Sequence, residues 1–95
     1  MSSYRPQEVA GALLRKGFQK DKTHHHMFWL VVNGKRTSIR TRYSHSDREI
    51  DEGRIRQMSQ QMKLSKRQFS DFVDCRLSGE EYADMLLDRG DVSGV

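Results

Sequence analysis

The stretch Lys22-Thr23-His24-His25-His26-Met27-Phe28-Trp29 concentrates more chemistry than any other part of this sequence. Three consecutive imidazoles run straight into an apolar segment that ends at Val32. An imidazole with an unperturbed pKa of about 6.5 both accepts and donates a proton near neutral pH, so proton transfer is the first chemistry on offer. Metal binding is the second. If the histidines open a strand, adjacent side chains alternate faces and only His24 and His26 converge, with no local cysteine or carboxylate cluster to complete a tetrahedral set. Neither a metal nor a cofactor is expected.

The segment reads as a strand because Phe28, Trp29, Leu30, Val31 and Val32 combine aromatic and β-branched side chains. Asn33-Gly34 follows at once, and both central residues of a type I′ hairpin turn need positive φ. Alternation then sets His24, His26, Phe28 and Leu30 on one face and His25, Met27 and Trp29 on the other. In the returning strand Thr37, Ile39, Thr41 and Tyr43 share one face, and Ser38, Arg40 and Arg42 the other. A brief strand over 18–22, turned near 21–23, makes three antiparallel strands. Lys20, Lys22, Lys35, Arg36, Arg40 and Arg42 then border one region of the sheet as a positive surface suited to phosphates. A solvated basic face is the plainer reading of the same charges. Trp29 suits stacking on a base, although an aromatic in an apolar strand is more often core.

Helices flank the strands. Pro6 suits a first helical turn, Val9/Leu13 and Ala10/Leu14 are i, i+4 apolar pairs, and Lys16-Gly17 supplies a stop. Residues 1–5 are polar and expected to fray. After a polar loop over 44–52 that contains His45, Ile55, Met58 and Met62 recur at helical spacing. Ser65/Gln68 and Ser78/Glu81 have capping-box spacing and start two more helices. Their apolar stripes are Phe69, Phe72, Val73 and Leu77, then Tyr82, Met85 and Leu86, with a loose tail from Gly90. Either stripe, next to the acidic Glu80, Glu81, Asp84 and Asp88, also suits partner docking.

Size and composition bound the rest. The chain of 95 residues, 35% hydrophobic and 32% charged, is read as a single domain over 1–95 with a modest core. Mean hydropathy is −0.85 and no run of 18 apolar residues occurs, so no membrane span or leader is expected and the cytoplasm is the expected compartment. Cys75 stands alone in the sequence, which excludes an internal disulfide, and its helical setting suggests a partly buried small residue. Charge is uneven: residues 1–72 hold 15 Lys plus Arg against 7 Asp plus Glu, and residues 73–95 hold 2 against 6. The basic part is the part suited to nucleic acid.

Several segments, in order, resemble the HicA family of small toxins from type II toxin-antitoxin systems. Leu13-Leu14-Arg15-Lys16-Gly17-Phe18 is similar to the end of the family's first helix, and Lys22-Thr23-His24-His25-His26-Met27-Phe28 stands where the family has Lys-Gly-Ser-His-His-apolar-aromatic. Asn33-Gly34-Lys35-Arg36-Thr37 is similar to its Asp-Gly-Arg hairpin. His45 to Gly53 follows its His-x-x-Lys-Glu-Leu-x-x-Gly loop, and Leu64-Ser65-Lys66-Arg67-Gln68-Phe69 its Ile-Ser-x-x-x-Phe close. The likeness spans about 9–72, within a family-like core of about 6–72 that is followed by a helical extension over about 73–90.

The resemblance implies an α-β-β-β-α two-layer fold like that of double-stranded-RNA-binding domains, here with two added C-terminal helices. It implies an mRNA interferase, a metal-independent endoribonuclease bound and silenced by a HicB-like antitoxin. Registration by Phe28 gives the catalytic role to His25; a slip of one residue gives it to His24. Thr23-His24 replaces the family's Gly-Ser, and the proline that precedes the loop histidine is absent. These departures favour an alternative, a catalytically inactive RNA-binding or protein-interaction module of the same fold.

Overall fold

The computed structural model describes residues 3–23, 26–43 and 48–92. These form α1 (Pro6–Arg15), β1 (Phe18–Lys20), β2 (Met27–Val32), β3 (Lys35–Arg42), α2 (Glu52–Gln61), α3 (Lys66–Val73) and α4 (Gly79–Arg89). The fold is α+β, in the order α-β-β-β-α followed by two helices, and the sheet is antiparallel with strand order β1-β2-β3.

The sheet is built around the β2–β3 hairpin. Asn33 (φ 53°) and Gly34 (φ 78°) supply the two left-handed residues that a two-residue turn with the right twist demands. Val32 therefore pairs with Lys35 and Val31 with Arg36, while farther along Trp29 pairs with Arg40 and Met27 with Arg42. The register slips between these blocks, leaving a bulge in β3 opposite Leu30. Thr37 fills it: its hydroxyl donates to the Leu30 carbonyl (2.9 Å) and accepts from the Ile39 amide (3.2 Å). The slip is by two residues, so side-chain alternation survives it. Phe28, Leu30, Val32, Ile39, Thr41 and Tyr43 are buried, whereas Ser38, Arg40 and Arg42 are exposed.

All four helices contribute to the single apolar cluster on the buried face, which takes in Val9 and Leu13 of α1, Ile55 and Met58 of α2, Phe69 and Phe72 of α3, and Tyr82 and Leu86 of α4. Phe18, Phe72 and Tyr82 form its aromatic centre, with ring centroids 5.2–6.1 Å apart. The Tyr82 hydroxyl donates to the Met62 carbonyl at 2.7 Å, and burial pushes its pKa well above the usual tyrosine range. Lys16 ties α1 to the α3–α4 connection: its ammonium donates to the Phe72 and Leu77 carbonyls and lies 4.8 Å from the Phe72 ring centroid. Gly79 opens α4 against that corner, where a Cβ would come within 2.9 Å of the Lys16 carbonyl oxygen.

Local capping chemistry sets the helix ends. Ser65 with Gln68 and Ser78 with Glu81 form both expected capping boxes, and Asp51 caps α2 by accepting from the Arg54 amide. The Glu81 carboxylate accepts from the Ser78 amide (2.9 Å), which holds its pKa below the ordinary glutamate range. At their other ends α2, α3 and α4 close by the same 6→1 bond, Leu64 to Ser59, Arg76 to Asp71 and Asp91 to Leu86, with Lys63, Cys75 and Gly90 in the left-handed conformation.

Five expectations are corrected. Within the expected frayed start Tyr4 is anchored, because the Tyr4 and Ile50 amides and carbonyls exchange hydrogen bonds of 3.1 and 2.7 Å and the Tyr4 ring packs edge-on to Phe69. Leu14 is 52% exposed, since the buried stripe of α1 runs through Val9, Ala12 and Leu13, with Ala10 partly buried at its edge. Helix α3 stops at Val73, so Leu77 lies beyond it and Cys75 is exposed in the closing turn rather than partly buried. The segment after Gly90 is not wholly loose: Val92 is buried in the core. Finally, β2 begins at Met27 and does not include His26, whose φ of 64° breaks the extended backbone, while His24 and His25 lie outside the described residues.

Candidate nucleic-acid interface

One face of the sheet lies under the helices; the other carries Gln19, Met27, Trp29, Val31, Arg36, Ser38, Arg40 and Arg42, as alternation and the strand register require. Trp29 stands at its centre, on the middle strand, directly between Gln19 and Arg40. The guanidinium carbon of Arg36 lies 4.9 Å from the indole centroid and that of Arg40 5.1 Å, so two cations cover a ring that the helices leave uncovered. The indole is also fixed in its plane, because Nε1 donates to Oδ2 of Asp21 at 2.9 Å.

Asp21 links this face to the connection that holds the histidines. Its other carboxylate oxygen accepts from the Thr23 amide at 2.7 Å, and its own amide donates to the Met27 carbonyl at 2.8 Å. The β1–β2 connection therefore leaves the sheet beside Trp29 and re-enters beside Arg42, the register partner of Met27. His26 re-enters with its ring 4.7 Å from that of Tyr43, and its carbonyl accepts from the Tyr43 amide at 3.2 Å. Burial raises the pKa of Tyr43 above its ordinary value. His24 and His25, the candidate catalytic residues, lie outside the described residues, as does the loop histidine His45.

The six cations proposed from sequence divide into two sets. Arg36, Arg40 and Arg42 share the open face. Lys20 pairs with Phe28 and Lys35 with Val32, so both have the parity of the buried face and stand exposed at opposite ends of the sheet, while Lys22 is exposed in the β1–β2 connection.

A groove of about 740 Å³ runs along the outer edge of β3, from Ser38–Arg42 to Gln61, Lys63, Gly90 and Asp91. The backbone groups of Arg40 and Arg42 point outward along it, because the neighbouring Tyr43 and Thr41 are the residues that bond to β2. Gln61 accepts from the Thr41 hydroxyl (2.8 Å) and the Arg42 amide (3.3 Å), which seals one end of the edge. Arg40, Arg42 and Lys63 make the groove cationic, and its carboxylate, Asp91, is paired with Arg89 at 3.1 Å.

From the sequence Trp29 suits either base stacking or the core, and neither Asp21, Gln61 nor Lys63 stands out as a site residue. The signal for Trp29 was its parity, opposite to Phe28 and the same as Met27. Asp21 has a local signal in its Asx-turn spacing to Thr23, whereas Gln61 and Lys63 meet the site only across the fold. Among the described residues no group of three histidine, cysteine or carboxylate side chains is placed to hold a metal ion. Likewise, among the described residues no helix is long and apolar enough to cross a membrane. No protein-family model, curated protein or solved structure matches this chain.

Proposed function

We propose that this protein is an RNA-binding toxin of a type II toxin-antitoxin system, HicA-like, that cleaves mRNA in the cytoplasm without a metal. The supporting observation is the open sheet face, where Arg36 and Arg40 lie over a half-buried tryptophan and Arg42 stands on the same face, beside the connection that carries His24 and His25. RNA brings its own nucleophile, so the protein needs to move protons and stabilise charge. In the proposed reaction the 2′-hydroxyl attacks the adjacent phosphorus while His25 takes its proton. The bond to the 5′-oxygen breaks, that oxygen takes a proton from His24, and a 2′,3′-cyclic phosphate remains. Guanidinium groups of the sheet stabilise the extra negative charge on the phosphorane. A HicB-like antitoxin would silence the enzyme by covering this face.

A second reading keeps the RNA and drops the cleavage. It is favoured by Thr23-His24 in place of Gly-Ser and by a cationic, aromatic face that can hold a nucleic acid without any imidazole. Incubating the purified protein with RNA in EDTA separates the two, since the first reading alone expects cleavage. His25→Ala should abolish both cleavage and growth arrest on expression while thermal unfolding stays unchanged. Persistent cleavage by a folded H25A variant removes His25 from the reaction.

A further inference from the structure

We infer that Trp29, Arg36 and Arg40 form a stacking site for an unpaired base of single-stranded RNA, with Arg42 taking a neighbouring phosphate. The inference rests on the RNA reading above for its class of ligand and goes beyond it in naming the site and the form of the nucleic acid. An indole on an open sheet face is ordinarily covered by an apolar neighbour; here its cover is two guanidinium groups, 4.9 and 5.1 Å from its centroid. Indole and guanidinium both present flat π surfaces, and a base stacks on either whatever its sequence.

The platform is preorganised. The hydrogen bond from the indole Nε1 to Asp21 stops the ring from turning, so little side-chain freedom remains to be lost on binding. On the β3 side of the ring stand Arg40 and Arg42, whose charge suits the backbone. Two residues along a strand advance about 6.6 Å, which is of the order of one nucleotide of an extended chain. Among the described residues no carboxylate is paired with Arg36, Arg40 or Arg42, so their charge is available to phosphates. A duplex hides its base faces and has nothing to offer Trp29, which is why the site selects single strands.

Trp29 is the sole tryptophan of the chain and reports on its own occupancy. The full-length protein is titrated with a 2′-O-methyl oligouridylate octamer, which lacks the nucleophile for cleavage, then with a duplex of equal length and with polyglutamate. The expected result is saturable quenching of Trp29 fluorescence by the octamer and far weaker quenching by the other two. By anisotropy of a labelled octamer, Trp29→Ala should weaken binding roughly five- to 150-fold, the value of one stacked base, and Trp29→Phe only a few-fold. Arg40→Gln, which leaves the ring in place, should reduce the quenching and serves if W29A does not fold. Octamer binding without quenching, wild-type affinity in a folded W29A, or equal quenching by polyglutamate or duplex each overturns the site. Quenching by the octamer with no cleavage of ordinary RNA leaves the site standing and removes the ribonuclease reading; cleavage without quenching does the reverse.

Discussion

Tyr82 carries a polar atom into the most apolar part of the molecule, and the cost of doing so is offset by a single partner. Its ring is fully buried between Phe18 and Phe72, and its hydroxyl reaches the Met62 carbonyl at the end of α2. Burial raises the hydroxyl pKa, so the group stays protonated and keeps donating throughout the range in which the protein is handled. Tyr82→Phe keeps both ring contacts and removes only the donor, so it isolates the hydrogen bond from the packing. Losing a buried bond of this kind costs about 1–2 kcal/mol, because the carbonyl left behind is shielded from water. For a domain of this size that corresponds to a fall in Tm of roughly 4–16 °C, readable by calorimetry. An unchanged Tm would mean that water reaches Met62 and that α4 is less tightly seated than its buried side chains indicate.

The three closing turns of α2, α3 and α4 share one geometry but not one residue. Lys63, Cys75 and Gly90 occupy the left-handed position with φ of 63°, 66° and 78°, and glycine alone adopts it without a clash of Cβ against the following carbonyl. Cys75→Gly should therefore stabilise the protein by about 0.5–1 kcal/mol after the added freedom of the unfolded chain is subtracted. Cys75→Ala, which keeps the Cβ, should not. Chemical denaturation of both variants checks this, and equal stabilisation by alanine would place the effect in the thiol rather than the backbone. These turns also mark what could and could not be read from the sequence. Asn33-Gly34 and the Ser65 and Ser78 boxes were legible because the signal and the structure it makes lie within four residues of each other. The end of α3 was not: periodicity carries its stripe on to Leu77, and a cysteine gives no hint of a left-handed turn. The Tyr4–Ile50 bridge and the β3 bulge depend on partners far along the chain. At the candidate site, alternation gave the parity of Arg40 and Arg42 correctly. It could not say that the face shared by Trp29 is the uncovered one, because that depends on where the helices pack. The strand reading fails at His26 for a related reason: a single residue with positive φ ends the alternation at that point.

Helix α4 and the open sheet face carry opposite charge. Helix α4 buries Tyr82 and Leu86 against the helical side of the core and leaves Glu80, Glu81, Asp84 and Asp88 exposed, while Arg36, Arg40 and Arg42 occupy the opposite side of the sheet. A net charge of +4 thus understates the field at the open face, and a polyanion approaching the molecule is steered to the sheet and away from α4. Two components of binding then separate by their response to salt. Stacking on Trp29 releases no counterions, whereas each phosphate held by an arginine of the sheet does, at a slope of about −0.7 per contact for a single strand. Two such contacts, by Arg40 and Arg42, give a slope of about −1.4 when the logarithm of the association constant for a single-stranded oligonucleotide is plotted against that of the salt concentration. Arg42→Gln should lower the slope by about 0.7 and shift affinity by a similar factor for every sequence, since phosphate contacts read no bases. Trp29→Ala should instead lower affinity at all salt concentrations and leave the slope alone. Charge reversal on α4, as in Asp84→Lys with Asp88→Lys, should change the association rate more than the slope, because that helix is a screen and makes no contact. If reversing α4 steepens the slope more than Arg42→Gln flattens it, the nucleic acid lies on the helices and the open sheet face is not its seat.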